Sequence, residues 1–222
     1  MKHIAILLIA MALLASTGCA WFSKEQQERP AKDLIRDGVA AFDDGKYHES
    51  LKHFEQLKDW YPFSKYAILA ELKIGDANYH LQNYTEAIAA YEEFEQLHPR
   101  NEAVPYVIYQ IGRCYYEQTD TIDRDQTAAK KAVEIFQRLA QSYPDNAYTQ
   151  QSRSHILNCF KKLAGHEFYV ASFYLKNKRT EAALKRFRAV VTKYPDVGYH
   201  HQALRYIAMC EARIAVEKAT KE

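Results

Sequence analysis

Apolar and polar positions divide the chain into three stretches of different texture. An apolar run of twelve residues, Ile4 to Ala15, follows the short basic start Met1-Lys2-His3. Ala20 to Pro30 forms a polar stretch. From there onward, small, aromatic and proline positions recur on a fixed ruler. Ser50, Ala87, Ala132 and Ala183 are each followed four residues later by an aromatic: Phe54, Tyr91, Phe136 and Phe187. Eight residues beyond each aromatic stands a proline: Pro62, Pro99, Pro144 and Pro195. Twelve residues before three of the four small positions is another small residue, namely Gly38, Gly75 and Ala171. Gly112 sits twenty residues before Ala132, which marks an eight-residue insertion in the third unit.

This spacing has a physical meaning. Small residues on two successive helices let the backbones approach, and the aromatic one turn further on lies on the same helix face and fills the gap. Proline then ends the second helix by driving the residue before it, Tyr61, His98, Tyr143 or Tyr194, out of the α region. Turn signals fall between the paired helices at Asp44-Gly45-Lys46-Tyr47 and Gln82-Asn83-Tyr84. The ruler predicts helical hairpins and resembles the tetratricopeptide repeat. Units are expected near residues 31–64, 68–101, 105–146 and 164–197, with a partial fifth at 201–218 carrying Ala208 in the small position. The implied fold is all-α, a right-handed superhelix of about five hairpins whose first helices line a concave surface.

Composition agrees with helices. The 222 residues include only 7 Gly and 6 Pro, about half the usual share, too few turn-formers for a many-stranded β fold. With 30 basic and 28 acidic side chains the formal charge is +2, which disfavours a phosphate backbone as partner. Cys114, Cys159 and Cys210 lie in apolar helical stretches and read as buried packing residues rather than a disulfide framework. Enzymatic chemistry finds no support. His166-Glu167 begins like a zinc-protease motif, but the position of the second His carries Val170. His200 and His201 are adjacent and face different sides of a helix. No phosphate loop or nucleophile elbow is present, and neither metal nor cofactor is expected.

The N-terminal run is too short to span a bilayer and reads as a signal peptide core, residues 1–18. Ala15-Ser16-Thr17-Gly18-Cys19 resembles a bacterial lipobox, with Ser16 where Leu is usual. The resemblance implies cleavage after Gly18 and a covalent lipid on Cys19, with residues 19–30 as lipidated terminus and tether. Ala20 in place of Asp implies sorting to the outer membrane.

Further residues are similar to the BamD family of outer membrane assembly factors. They are Asp123-Arg124-Asp125-Gln126 in the insertion, an extra helix at about Ala147 to Lys162, the run from Leu163 to Leu175, Ala183-Leu184-Lys185-Arg186-Phe187, and Val190 to Asp196. Thr180 departs from the pattern, standing where a unit usually has an aromatic. The resemblance implies a non-enzymatic scaffold lipoprotein on the periplasmic face of the outer membrane. It would assist insertion of β-barrel proteins as part of the Bam complex, beside other Bam lipoproteins. Residues 31–146 would engage unfolded barrel clients, and residues 147–222 would dock on the periplasmic domains of the barrel subunit BamA. Rival readings are another envelope repeat lipoprotein, such as a pilotin or a cell-wall or Tol coordinator, and a cell-wall-processing enzyme on a helical scaffold.

Positions of the first helices that face away from their second helices mark a candidate peptide groove. They include Phe42 in the first unit, Asp76 and Tyr79 in the second, and Tyr106, Tyr109, Arg113 and Tyr116 in the third. Rigid aromatics bury much area at low entropic cost, and arginine offers a planar fork to a carboxylate. The competing expectation is that these tyrosines pack against the next unit and Arg113 pairs Asp76. The insertion, residues 117–129, is polar, with Asp125 as a helix cap. In the C-terminal units Lys185, Arg186, Arg188, Lys193 and Arg205 form either a solvated face or a docking surface.

Overall fold

A computed structural model describes residues 29–220. The signal peptide at 1–18, the lipidation of Cys19 and nearly all of the 19–30 tether lie outside the described residues. Those described form nine helices and no strand: α1 Ala31–Asp43, α2 Tyr47–Trp60, α3 Ala67–His80, α4 Tyr84–Leu97, α5 Val104–Glu117, α6 Thr127–Ser142, α7 Ala147–Lys176, α8 Thr180–Lys193 and α9 His200–Ala219. Each packs on its neighbours in the chain, and α5 also reaches α7. The result is the expected array of hairpins.

The ruler is visible in the packing. A Cβ built on Gly38 would come within 2.6 Å of the Phe54 ring, on Gly75 within 2.5 Å of Tyr91, and on Gly112 within 2.4 Å of Phe136. Hydrogen in place of a methyl group is what lets each ring lie on the opposite backbone. Phe54, Tyr91, Phe136 and Phe187 are all fully buried. Ser50 adds a hydrogen bond of 2.9 Å from its hydroxyl to the Gly38 carbonyl, drawing α2 onto α1.

Helix ends repeat as well. Gly45, Gln82 and Lys178, each seven residues past the small residue of its first helix, adopt φ of 74°, 62° and 57°. The following amides, Lys46, Asn83 and Arg179, reach back to the carbonyls of Ala41, Asn78 and Tyr174 at 2.8 to 2.9 Å. This is the left-handed helix stop in which orphan carbonyls find partners. Only one of the three positions is glycine. At the other end Tyr61, His98, Tyr143 and Tyr194 hold φ between −127° and −139° with ψ of 53° to 64°, outside the α region as proline requires.

One expectation is corrected. The extra helix at 147–162 and the first helix of the fourth unit are a single helix, α7, of 30 residues. Its first half, with Tyr148, Ile156, Cys159 and Leu163, joins the core of Phe136 and Leu139. Its second half, with Ala164 and Ala171, joins the core of Phe187 and Val190. The boundary at 146/147 therefore falls at the start of a helix that belongs to both parts. No glycine or proline with a turn geometry interrupts it: Gly165 is helical, and its bare Cα receives Ile122 and Tyr199 instead.

The insertion is a docked loop. Residues 118–126 connect α5 to α6 and lie on α7, where His166 Nδ1 meets the Ile122 carbonyl at 2.7 Å and Lys162 donates to the Asp120 carbonyl at 3.0 Å. Gln126 is buried and bridges the Thr121 and Arg124 carbonyls. Asp125 accepts from the Thr127 amide at 2.8 Å, the capping contact expected of it, although the helix boundary places Gln126 at the cap itself. In α9, Ala208 is exposed, since among the described residues no second helix follows to cover it. No described helix is long and apolar enough to cross a membrane.

Candidate functional site

The first helices α3 and α5 bring most of the candidate groove residues together, though not all on an open surface. Asp76 is 5% exposed and its carboxylate is already occupied. Oδ1 accepts from the Tyr91 hydroxyl at 2.8 Å and the Tyr106 hydroxyl at 2.7 Å, and Oδ2 accepts from Lys73 at 2.9 Å. Three helices are thus tied through one carboxylate. Burial, reinforced by the nearby Asp76 charge, pushes the Tyr91 and Tyr106 hydroxyls well above the usual phenol range, so both remain donors. Gln110 in turn donates to the Tyr106 oxygen at 2.8 Å.

Arg113 does not pair Asp76. Its guanidinium donates to Glu117 at 2.9 Å and to the Tyr79 hydroxyl, and Tyr79 donates to Glu117 at 3.2 Å. The guanidinium carbon lies 5.3 Å from the Tyr79 ring centre and 6.0 Å from that of Tyr109, within reach of cation–π attraction. Lys73, spanning Asp76, lies 4.3 Å over the Phe42 ring, which links the first unit to the second.

Tyr109 is likewise corrected from groove to core. At 6% exposure it packs on Phe136 and Tyr148, with its hydroxyl 3.3 Å from His155 Nε2. The cause is α7, whose first half covers the end of the third unit. His155 stacks on Phe136 at 5.5 Å and meets the edge of Tyr116 at 4.5 Å. Burial lowers its pKa, helped by the charge of Arg113. Phe42, Tyr79, Tyr106, Arg113 and Tyr116 remain half-buried on the surface. Beside them Leu72, Lys73, Glu102, Tyr106 and Tyr148 line a shallow cleft of about 330 Å³.

Lys73, Glu117 and His155 went unforeseen. Glu117 lies at i+4 from Arg113 and Lys73 at i−3 from Asp76, spacings that announce ion pairs on one helix face. His155 carried no such signal, because its placement depends on where α7 lies.

At the other end of the array, Arg186 forms two hydrogen bonds to Glu167, at 2.9 and 3.1 Å, and Arg188 binds Glu211 at 2.6 Å. These pairs join α8 to α7 and α9. A cleft of about 440 Å³ beside them is lined by Glu167, Tyr174, Lys185, Arg186, Ala189 and Lys193. Among the described residues the three cysteines are buried and unpaired, and burial pushes the Cys114 thiol up to about 12 and that of Cys159 to about 11. Among the described residues no three His, Cys, Asp or Glu side chains converge as a metal site would need.

Stacked helical hairpins with glycine–aromatic contacts at their crossings define a repeat protein of tetratricopeptide type. A family model described as outer membrane lipoprotein, YfiO, matches residues 27–222, and the chain belongs to that family. It is 30% identical to the outer membrane protein assembly factor BamD of Caulobacter vibrioides, over 98% of this chain and 73% of that one. With the factor of the same name from Pasteurella multocida it shares 28% identity, over 88% of this chain and 79% of the other.

Proposed function

We propose that this protein is a non-enzymatic scaffold of the outer membrane β-barrel assembly complex, anchored by lipid on Cys19 at the periplasmic face. The family match over 27–222 and the relatives named as assembly factors support the reading. In it, residues 31–146 hold an unfolded barrel segment and the C-terminal units dock on the periplasmic domains of BamA.

The single observation that carries the client site is the pairing of Arg113 with a half-exposed Glu117 beside Tyr79. A partly exposed i, i+4 ion pair of this kind is worth little, so an incoming carboxylate can replace Glu117 while the tyrosine ring stays in place. Arg113 then receives a client's terminal carboxylate or an acidic side chain, and Tyr79 and Tyr116 take its apolar or aromatic neighbours.

Affinity for a C-terminal peptide of a barrel protein tests this in both directions. Glu117→Gln removes the internal competitor and is expected to tighten binding, whereas Arg113→Glu is expected to abolish it. Equal affinity for both variants and the parent would rule the site out. Incorporation of labelled palmitate, lost in Cys19→Ser, checks the anchor.

A further inference from the structure

The first residue after each repeat proline lies in the loop that leads from a second helix to the next first helix. In three of the four loops that residue is charged: Arg100, Asp145 and Asp196. In the first it is Phe63, which is 100% exposed. Behind it in the first turn of α3, Ile68 and Leu69 are 42% and 41% exposed, and Pro62 and Lys65 are exposed too. Lys65 sits 5.1 Å over the Tyr66 ring. A fully exposed phenylalanine packs on nothing, so the fold does not require it. Together with its neighbours it makes a short apolar patch flanked by lysine.

Position in the array says what covers the patch. α1, α3 and α5 run in one direction and α2 and α4 return between them, so the 61–66 loop lies at the edge where α1 starts at Ala31. Leu34, one turn into α1, shares a core cluster with Tyr61, Tyr66 and Ala67, so the loop adjoins the point where the described chain begins. Cys19 is eleven residues before Pro30, a span of at most about 40 Å when extended. A tether of that reach holds the protein near a bilayer without orienting it. Phenylalanine and leucine side chains bury at the boundary of headgroups and acyl chains, and lysine ammonium groups are drawn to anionic lipid.

We propose that the loop of residues 61–66, with Phe63 at its tip and Ile68 and Leu69 behind it, inserts into the phospholipid headgroup layer and fixes the orientation of the repeat array at the membrane. The inference rests on the lipid-anchored reading of Cys19. Two attachment points, one covalent and one by contact, leave the concave face of the hairpins with a set direction.

The test uses the full lipidated chain in vesicles of phosphatidylethanolamine and phosphatidylglycerol, with an environment-sensitive fluorophore attached through Phe63→Cys. Arg100→Cys and Asp145→Cys, at the same place in later loops, serve as comparisons, and the three native cysteines of the described chain are buried. The expected result is a blue-shifted emission at position 63, quenched by nitroxide-bearing lipids at least about threefold more than at 100 or 145, as interfacial insertion requires. Equal quenching at all three positions, with the protein still floating with vesicles, overturns the loop contact while leaving the anchor standing. Loss of flotation in the unsubstituted lipidated chain would instead remove the anchor on which the proposal stands. A blue shift that needs an added barrel peptide and ignores lipid would also overturn it, reassigning the loop to clients.

Discussion

The Tyr91 hydroxyl donates to the Asp76 carboxylate at 2.8 Å, and each of these residues is the exception at its place in the repeat. Elsewhere the aromatic slot holds phenylalanine, and the residue after the small one is Val39, Arg113 or Ser172. A hydrogen-bonded pair sits in the same packing geometry that the other units build around phenylalanine. Unit one, with Val39 and Phe54, shows the apolar solution within the same chain.

Removing the two halves of this pair should have unequal effects. Tyr91→Phe leaves Asp76 with Tyr106 and Lys73, and is expected to cost roughly 1.5 kcal/mol. Asp76→Ala strands a buried phenol and should cost about 3 kcal/mol or more. Combining Asp76→Val with Tyr91→Phe recreates the arrangement of unit one and should recover about 1 kcal/mol relative to the sum of the single changes. Urea unfolding of the four proteins measures the coupling, and strict additivity would contradict the network.

Gly112 faces the ring of Phe136 with room only for hydrogen. Gly112→Ala is therefore expected to destabilise by roughly 1–3 kcal/mol through overpacking. Phe136→Leu frees volume, so the double variant should unfold at a higher temperature than Gly112→Ala alone. A melting temperature for Gly112→Ala equal to that of the parent would show that the crossing is looser than described.

Acid should loosen the centre of the array through His155. Burial and the charge of Arg113 hold its folded-state pKa below the ordinary value of about 6.5, with Glu117 opposing. The unfolded chain thus takes up a proton that the folded chain refuses. The neutral imidazole's contribution is complete above pH 6.5 and declines as pH falls from there toward the folded-state pKa. His53, also lowered by burial and by Arg29, has the same sign. Stability measured from pH 7.5 down to 5 should fall less steeply in His155→Gln than in the parent, and parallel curves would count against this.

The hairpins were legible because their determinants are local. The glycine–aromatic contact, the turn and the pre-proline stop each occupy a few residues at fixed spacing, and the ruler survived even an eight-residue insertion. The candidate groove was legible only as a helix face. Which members of a face meet solvent depends on what packs over it, and nothing in the sequence of α5 announces that the start of α7 lies on Tyr109. Asp76 lies in the core rather than in the groove for a related cause. A carboxylate among apolar residues looks like a surface group until two tyrosine hydroxyls and a lysine are found around it. Arg113 stays on the surface, held by Glu117 and Tyr109 of its own helix and by Tyr79 of α3, rather than by the Asp76 that was its expected partner.

The continuity of α7 has a mechanical consequence. A straight helix of 30 residues is about 45 Å long, and its two halves serve as walls of different cores. Where other units meet through a loop, the third and fourth share a beam. Bending there would require breaking helix hydrogen bonds, so any breathing of the array is concentrated at the proline-bearing joints on either side. A load applied at α8 or α9 reaches the tyrosine cluster around Arg113 through a rigid lever rather than a hinge.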